Sequence, residues 1–457
     1  MQRHTDTVAL TSDDTALLAS SRQAIDQKLA RLRDLVPCIL DMSAREATLS
    51  SHYGHTLKDK IELYELARDF GLTDIGLSNF FDFPSVTDQF LDYLVDNAIS
   101  LDGFLATIAI EPVTDGEPLP MGPAARRTRD VGIPNVILLV EITPSVIVSM
   151  GRRPDDILRD LDAHVRHYRE QLPLETERTG RIYVRIGDAF DAFDEDPEHV
   201  LKVFKLLGAL PITGILFEDV RGTRFIFESN ELIRLMRHYN PAPRKILVHP
   251  HSGNGMEDAT TVEAVLAGAD GVWSGFTPQA AQGGHGSVLM FLTNLMRARN
   301  RHVAQQYDTR RLMVTAEKMW RIHDHHGIPP NTPVVGARAY RYVDPLFEQT
   351  DRPRDLHPEL IGVEPRYQIT PSWAPPGVIA GRLRELGYGP DVTEDRQLLS
   401  MIRACINAEL VKGRQENCDE PDRLARLVDT ARLRIEQGEA WITDSPDPSA
   451  PLTARYR

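Results

Sequence analysis

The chain is poor in cysteine: Cys38, Cys405 and Cys418 are its only three, and no two stand in a CxxC pair. That argues against a disulfide framework and a cysteine-based zinc site, and suits a reducing compartment. It also lacks any apolar run of about 18 residues, and its N-terminus lacks the apolar core of a signal peptide, so a cytoplasmic protein with no membrane partner is expected. Positive charge is in deficit, with a formal net charge of −14. A nonspecific grip on a phosphate backbone is therefore disfavoured, and no nucleic-acid partner is expected. An anionic small substrate stays open, because local arginines or a metal can reverse the field within one cleft. There is no internal repeat beyond a strand–helix unit and no low-complexity tract. What remains is ordinary for a globular chain: 457 residues, 42% hydrophobic and 26% charged.

From Val36 onward, short apolar runs alternate with amphipathic stretches. The strand-like runs are Cys38–Asp41, Asp74–Phe80, Gly103–Ile110, Asn135–Thr143, Arg181–Ile186, Gly214–Phe217, Lys245–His249 and Gly271–Ser274. Helical patterns fall on Leu57–Phe70, Val86–Asn97, Pro154–Glu170, Pro197–Leu207, Ser229–His238, Ala259–Ala267 and Ser287–Ala298. Eight strands in βα alternation predict an α/β fold, a (β/α)₈ TIM barrel. The rival, a doubly wound open sheet, lacks a glycine fingerprint in its first βα turn, Arg45–Ser51. The proline-, glycine- and arginine-rich stretch 111–134 reads as a lid or surface excursion. Four regions follow: an N-terminal helical extension (1–35), the catalytic barrel (36–302), a mostly helical C-terminal subdomain (303–440) and a flexible tail (441–457).

The stretch KILVHPHS, Lys245–Ser252, organises the rest. Alternation along a strand puts His249 and His251 on one face and Pro250 on the other. Two converging imidazoles can be half of a divalent-metal site; a bare HxH pair equally fits two hydrogen-bonded histidines at a strand end. In a TIM barrel, chemistry gathers at the C-terminal ends of the strands. There the first strand delivers Asp41-Met42-Ser43-Ala44-Arg45-Glu46, and closure brings Glu46 to the rim that holds the histidines. One carboxylate with two histidines is a common catalytic set for a divalent ion. Arg45 beside it would stabilise a developing oxyanion; alone, the pair also reads as a surface ion pair.

These residues resemble the DRE-TIM metallolyases, the superfamily of 2-isopropylmalate synthase, homocitrate synthase, citramalate synthase and 3-hydroxy-3-methylglutaryl-CoA lyase. DMSARE resembles the family's DxTxR(D/E)G opening, and GHTLKDKIELYELARDFGL its first helix. HPHSGNGMEDATTVEAVLAGADGVWSG is similar to the family's seventh-strand motif, and GGHGSVLMFLTNL to its glycine-asparagine turn. NTPVVGARAY and HPELIGVEPRY, followed by GVIAGRLRELGY, resemble the region after the barrel in the synthases. The likeness spans about residues 36–410.

The resemblance implies metal ligands Glu46, His249 and His251, for Mg, Mn or Zn, and a catalytic Arg45. Asp41 would brace the first turn, Ser287 falls where the family has an asparagine beside the metal, and Asp219 matches an acidic residue after strand six. Thr143 and Arg185, at the ends of strands four and five, complete the substrate shell with them. For the general base, His285, Asp188 and Asp219 stay open, and for His285 a surface-loop role fits as well. The implied activity is a Claisen-type condensation of an acyl-CoA with a 2-oxo acid, in a homodimer. A metal-dependent retro-aldol or retro-Claisen lyase without CoA is the alternative, and a non-catalytic barrel scaffold a third reading. Several family residues are replaced here: Ala47-Thr48-Leu49 follows the ligand, Ile75-Gly76-Leu77-Ser78 lacks a strand-two carboxylate, Ile186-Gly187-Asp188-Ala189-Phe190-Asp191 lacks an arginine, and Asp344-Pro345-Leu346-Phe347 lacks the partner-subunit histidine. A changed substrate or reaction is therefore expected. The remaining HDHH run, His323 to His326, is read as a solvent-exposed helix end, Arg126-Arg127 as a solvated surface, and Trp273 and Trp320 as packing residues.

Overall fold

The computed structural model describes residues 10–46, 53–77, 85–114, 116–280, 283–344, 354–413 and 417–439; of Glu46 the backbone alone is described. The substituted positions Ala47 to Leu49, Ser78 and Pro345 to Phe347, and the expected tail, lie outside these residues. The chain divides into two compact units, Met1–Ile328 and Pro329–Arg457.

In the first unit, α1 (Ser12–Asp34) leads into β1 (Cys38–Asp41), α2 (Ser43–Glu46), α3 (Leu57–Phe70), β2 (Ile75–Gly76), α4 (Val86–Asp96) and β3 (Phe104–Ala109). Next come α5 (Pro123–Val131), β4 (Asn135–Glu141), α6 (Pro144–Ser149), α7 (Pro154–Gln171), β5 (Ile182–Gly187), α8 (Ala189–Glu195) and α9 (Pro197–Ala209). Then follow β6 (Gly214–Asp219), α10 (Ile226–Tyr239), β7 (Lys245–Pro250), α11 (Glu257–Ala267), β8 (Gly271–Ser274), α12 (Val288–Arg297), α13 (Val303–Gln306) and α14 (Leu312–Asp324). The eight strands close in sequence order, every neighbouring pair parallel, with Cys38–Asp41 on Gly271–Ser274 sealing the ring. The expected TIM barrel is the fold.

Local chemistry explains the element starts. Thr56 caps α3, accepting from the Asp59 amide at 3.2 Å while Asp59 accepts from the Thr56 amide at 2.7 Å, and Gly71 at φ +109° ends it in the left-handed region. The stretch 111–134 is not only an excursion. Pro123 opens α5, whose buried residues are the small Ala124, Ala125 and Thr128. The helix is only nine residues long and opens on a proline within a proline-, glycine- and arginine-rich stretch, a composition that reads as loop.

Inside the barrel, Leu40, Met42, Leu105, Ile137, Tyr183, Leu216, Leu247 and Trp273 form one apolar cluster. Leu105, Leu216 and Leu247 are fully buried. Burying a leucine side chain contributes about 1.5–3 kcal/mol, so this plug holds the strands in register. In the second unit, α15 (Pro376–Glu385), α16 (Pro390–Thr393), α17 (Arg396–Val411) and α18 (Pro421–Glu436) surround a core including Val378, Ile379, Leu383, Leu398, Ile402, Ile406, Leu424 and Val428. A short parallel pair, β9 (Arg341–Tyr342) and β10 (Arg366–Tyr367), precedes them. This unit is mostly helical, as expected. Among the described residues no helix is long and apolar enough to cross a membrane.

Candidate metal centre

Strand alternation carries the interior face upward from the plug. Two residues beyond Tyr183, Leu216 and Leu247 stand Arg185, Glu218 and His249, and His251 follows. Glu218 and His249 are register partners on β6 and β7. Glu218, His249 and His251 are all buried, with ligand-capable atoms within 4.8 Å of one another. Glu218 is the residue the sequence reading missed. It ended strand six at Phe217 and took Asp219 for the acidic group, whereas β6 runs to Asp219 and its alternation turns Glu218 inward. Asp219 instead accepts from the amides of Gly222 at 2.9 Å and Arg224 at 3.2 Å, holding the turn after β6.

The Glu218 carboxylate bridges two neighbours: one oxygen pairs with Arg185, the other lies 3.3 Å from His251 Nε2. Burial pushes its pKa up, but Arg185, His251 and Arg45 together hold it below its ordinary value. Burial, then the neighbouring His285, His251 and Arg45, keep His249 neutral well below the usual imidazole range. An ionised carboxylate and a neutral imidazole carrying a lone pair are what a divalent cation requires. The donor set fits such an ion.

The other expected residues surround this cluster. Arg45, 7% exposed, lies in the α2 turn with its guanidinium carbon 5.3 Å from the centre of the Trp273 ring, and His249 lies over the same ring at 4.4 Å. Trp273 is thus a packing residue, as expected, and also the floor beneath the cluster. Asp41 accepts from the Ser43 amide at 3.2 Å and from Ser43 Oγ at 2.6 Å, bracing the first turn. Burial raises its pKa to about 6. Thr143 precedes α6, and its amide donates to Glu141 at 2.7 Å. Asp188, at φ +38° after β5, pairs with Arg221 at 3.3 Å. Ser287 caps α12, its Oγ accepting from the Met290 amide at 3.2 Å.

His285 is not at the surface. It is fully buried, its ring 4.8 Å from that of His249, because residues after β8 fold back onto the end of β7 and form an antiparallel bridge between His251 and His285. Its Nδ1 lies 2.7 Å from Ser274 Oγ and 3.0 Å from the Gly286 carbonyl, which makes Nδ1 the protonated nitrogen and Nε2 the acceptor. The HDHH reading is also corrected in part. His325 and His326 are exposed, but His323 is buried, with Nδ1 3.1 Å from His55 Nε2, because α14 packs on α3. The loops after β6 and β7 meet backbone to backbone: a Cβ on Gly222, at φ +60°, would collide with the His251 carbonyl, and one on Gly253 with that of Arg221.

No family model matches the chain. It is 26% identical over 234 residues to a probable 2-isopropylmalate synthase of Archaeoglobus fulgidus, covering 47% of this chain and 43% of that protein. It is 28% identical over 184 residues to a probable 2-isopropylmalate synthase of Methanosarcina mazei, covering 38% and 34%. The chain is a distant relative of the DRE-TIM metallolyases. Less than half the length of each of these synthases is matched. Among solved structures, the chain is similar to a hydroxymethylglutaryl-CoA lyase from Pseudomonas aeruginosa, with a TM-score of 0.49 and 15% identity over 63% of this chain and 92% of that one.

Proposed function

We propose that this relative of the DRE-TIM metallolyases is a divalent-cation-dependent enzyme that condenses an acyl-CoA with a 2-oxo acid. The observation that carries the reading is the buried convergence of Glu218, His249 and His251 beside Arg45. His249, His251 and two carboxylates would hold the ion: Glu218, which lies against His251, and Glu46 at the end of α2. When bound, Mg, Mn or Zn supplies Lewis acidity and a template for a 2-oxo acid.

The chain's own groups divide the remaining work. His285 Nε2, with Nδ1 committed to Gly286, takes the proton from the acyl carbon next to the thioester. That carbon then bonds to the keto carbon of the 2-oxo acid. The former keto oxygen gains charge, which Arg45, largely out of water, stabilises until that oxygen takes up a proton to become the hydroxyl. His285 is left to give its own proton back to solvent. Water finally cleaves the thioester and releases the CoA thiol. Asp41 holds the turn that bears Arg45, Arg185 steadies the Glu218 carboxylate, and Thr143, Asp188, Asp219 and Ser287 would line the way to the substrate's far end.

The test follows free thiol with purified protein, a panel of acyl-CoAs and 2-oxo acids, and each cation added back after chelation. Thiol release that needs both substrates and the cation is expected. No release with any pair, together with cation-dependent cleavage of 2-oxo or 3-hydroxy acids, would replace the synthase by the lyase. Cation uptake unchanged by His249→Ala would remove the metal centre from the account.

A further inference from the structure

Lys60 stands on the first turn of α3 and is 4% exposed. Its Nζ donates to the carbonyl oxygen of Ala44 at 2.6 Å, and Ala44 immediately precedes Arg45 in α2. Among the described residues no carboxylate is paired with this ammonium. Burial lowers its pKa to about 8, so it still carries charge at neutral pH. A buried ammonium set against a neutral carbonyl is a costly way to fill space, and an apolar chain of the same length would fill it without that cost.

Several contacts hold the first residues of this turn, and the Arg45 amide donates to the Met42 carbonyl at 2.8 Å. Asp41 and the Phe276 amide, at 2.9 Å, hold Ser43, and the Met42 amide donates to the Ser274 carbonyl at 3.0 Å. Lys60 acts at the other end, one residue from the guanidinium that lies over Trp273. Nearby, the hydrogen bond between His55 and His323 fixes the start of α3 to α14, so Lys60 is presented from a firmly held helix. We infer that Lys60 is a positioning residue: through the Ala44 carbonyl it keeps the Arg45 guanidinium over Trp273, beside the histidines. This rests on the reading of Arg45 given above.

The experiment compares Lys60→Met, Lys60→Arg, Arg45→Met and the Lys60/Arg45 double variant, each in full-length protein. Three quantities are read: Mn²⁺ affinity by calorimetry, turnover by thiol release, and tryptophan emission against a Trp273→Phe background. Lys60→Met should bind Mn²⁺ within about threefold of the parent and lose about 10- to 100-fold in kcat, the size expected for a misplaced catalytic group. Its emission change should match that of Arg45→Met, vanish in the Trp273→Phe background and add nothing in the double variant. Lys60→Arg should restore most of the turnover. If Lys60→Met does not fold, Lys60→Gln, uncharged and one bond too short to reach the Ala44 carbonyl, gives the same comparison.

Unchanged emission, or effects that add in the double variant, would overturn the positioning role. If Arg45→Met itself kept full turnover, the proposed function would fail, while the emission comparison would still decide whether Lys60 holds Arg45.

Discussion

The floor and the rim of the barrel are built by the same strands and obey opposite rules. At the floor, Leu105, Leu216 and Leu247 are packed out of water with no polar contact to satisfy. One step along β6 and β7, Glu218 and His249 are nearly as enclosed, and Arg185 on β5 is partly buried beside them, yet each carries a charge or a lone pair. The floor is stable because it is apolar. The rim is tolerated because its charges face one another, and that arrangement is poised to accept an ion.

Three substitutions test this division, from the largest effect to the smallest. Leu247→Ala should cost about 2–5 kcal/mol in denaturant unfolding, while thiol release per folded molecule stays within about threefold of the parent. A large loss of turnover in the folded variant would show that the floor does more than support. Glu218→Gln leaves Arg185 without its opposing charge and should cost about 3 kcal/mol, part of it regained by adding Arg185→Met. A loss below about 0.5 kcal/mol would mean that the rim charges are effectively solvated, and the contrast would dissolve. Ser287→Ala removes the α12 cap and should lower stability by about 1 kcal/mol, with Mn²⁺ affinity unchanged. A fall in that affinity instead would move Ser287 from capping into the cation's surroundings.

Much of the barrel was legible in the sequence, because buried parallel strands are short apolar runs bounded by turns. Cys38–Asp41 and Gly271–Ser274 match the expected runs at both ends, and most others differ by a residue or two. The acidic end of β6 was harder to read. The run GILF breaks at Glu218, and a carboxylate facing the barrel interior looks in sequence like the first residue of a loop. His285 and His323 defeated local reading for a different reason. Their burial depends on the return of a segment to β7 and on a partner 268 positions away, and neither leaves a periodic trace. HPHS could be read because strand alternation dictates which side chains share a face, and barrel closure accounts for Arg45 of DMSARE lying over Trp273 beside His249.

The crossing of Gly222 and Gly253 leaves no room between two neighbouring loops, so neither can be redesigned alone. An insertion or a bulkier residue in one must be answered in the other, or His251 is levered out of line. Anyone wishing to graft a new specificity onto this scaffold should treat the pair as a single unit, and begin on a different stretch of the mouth.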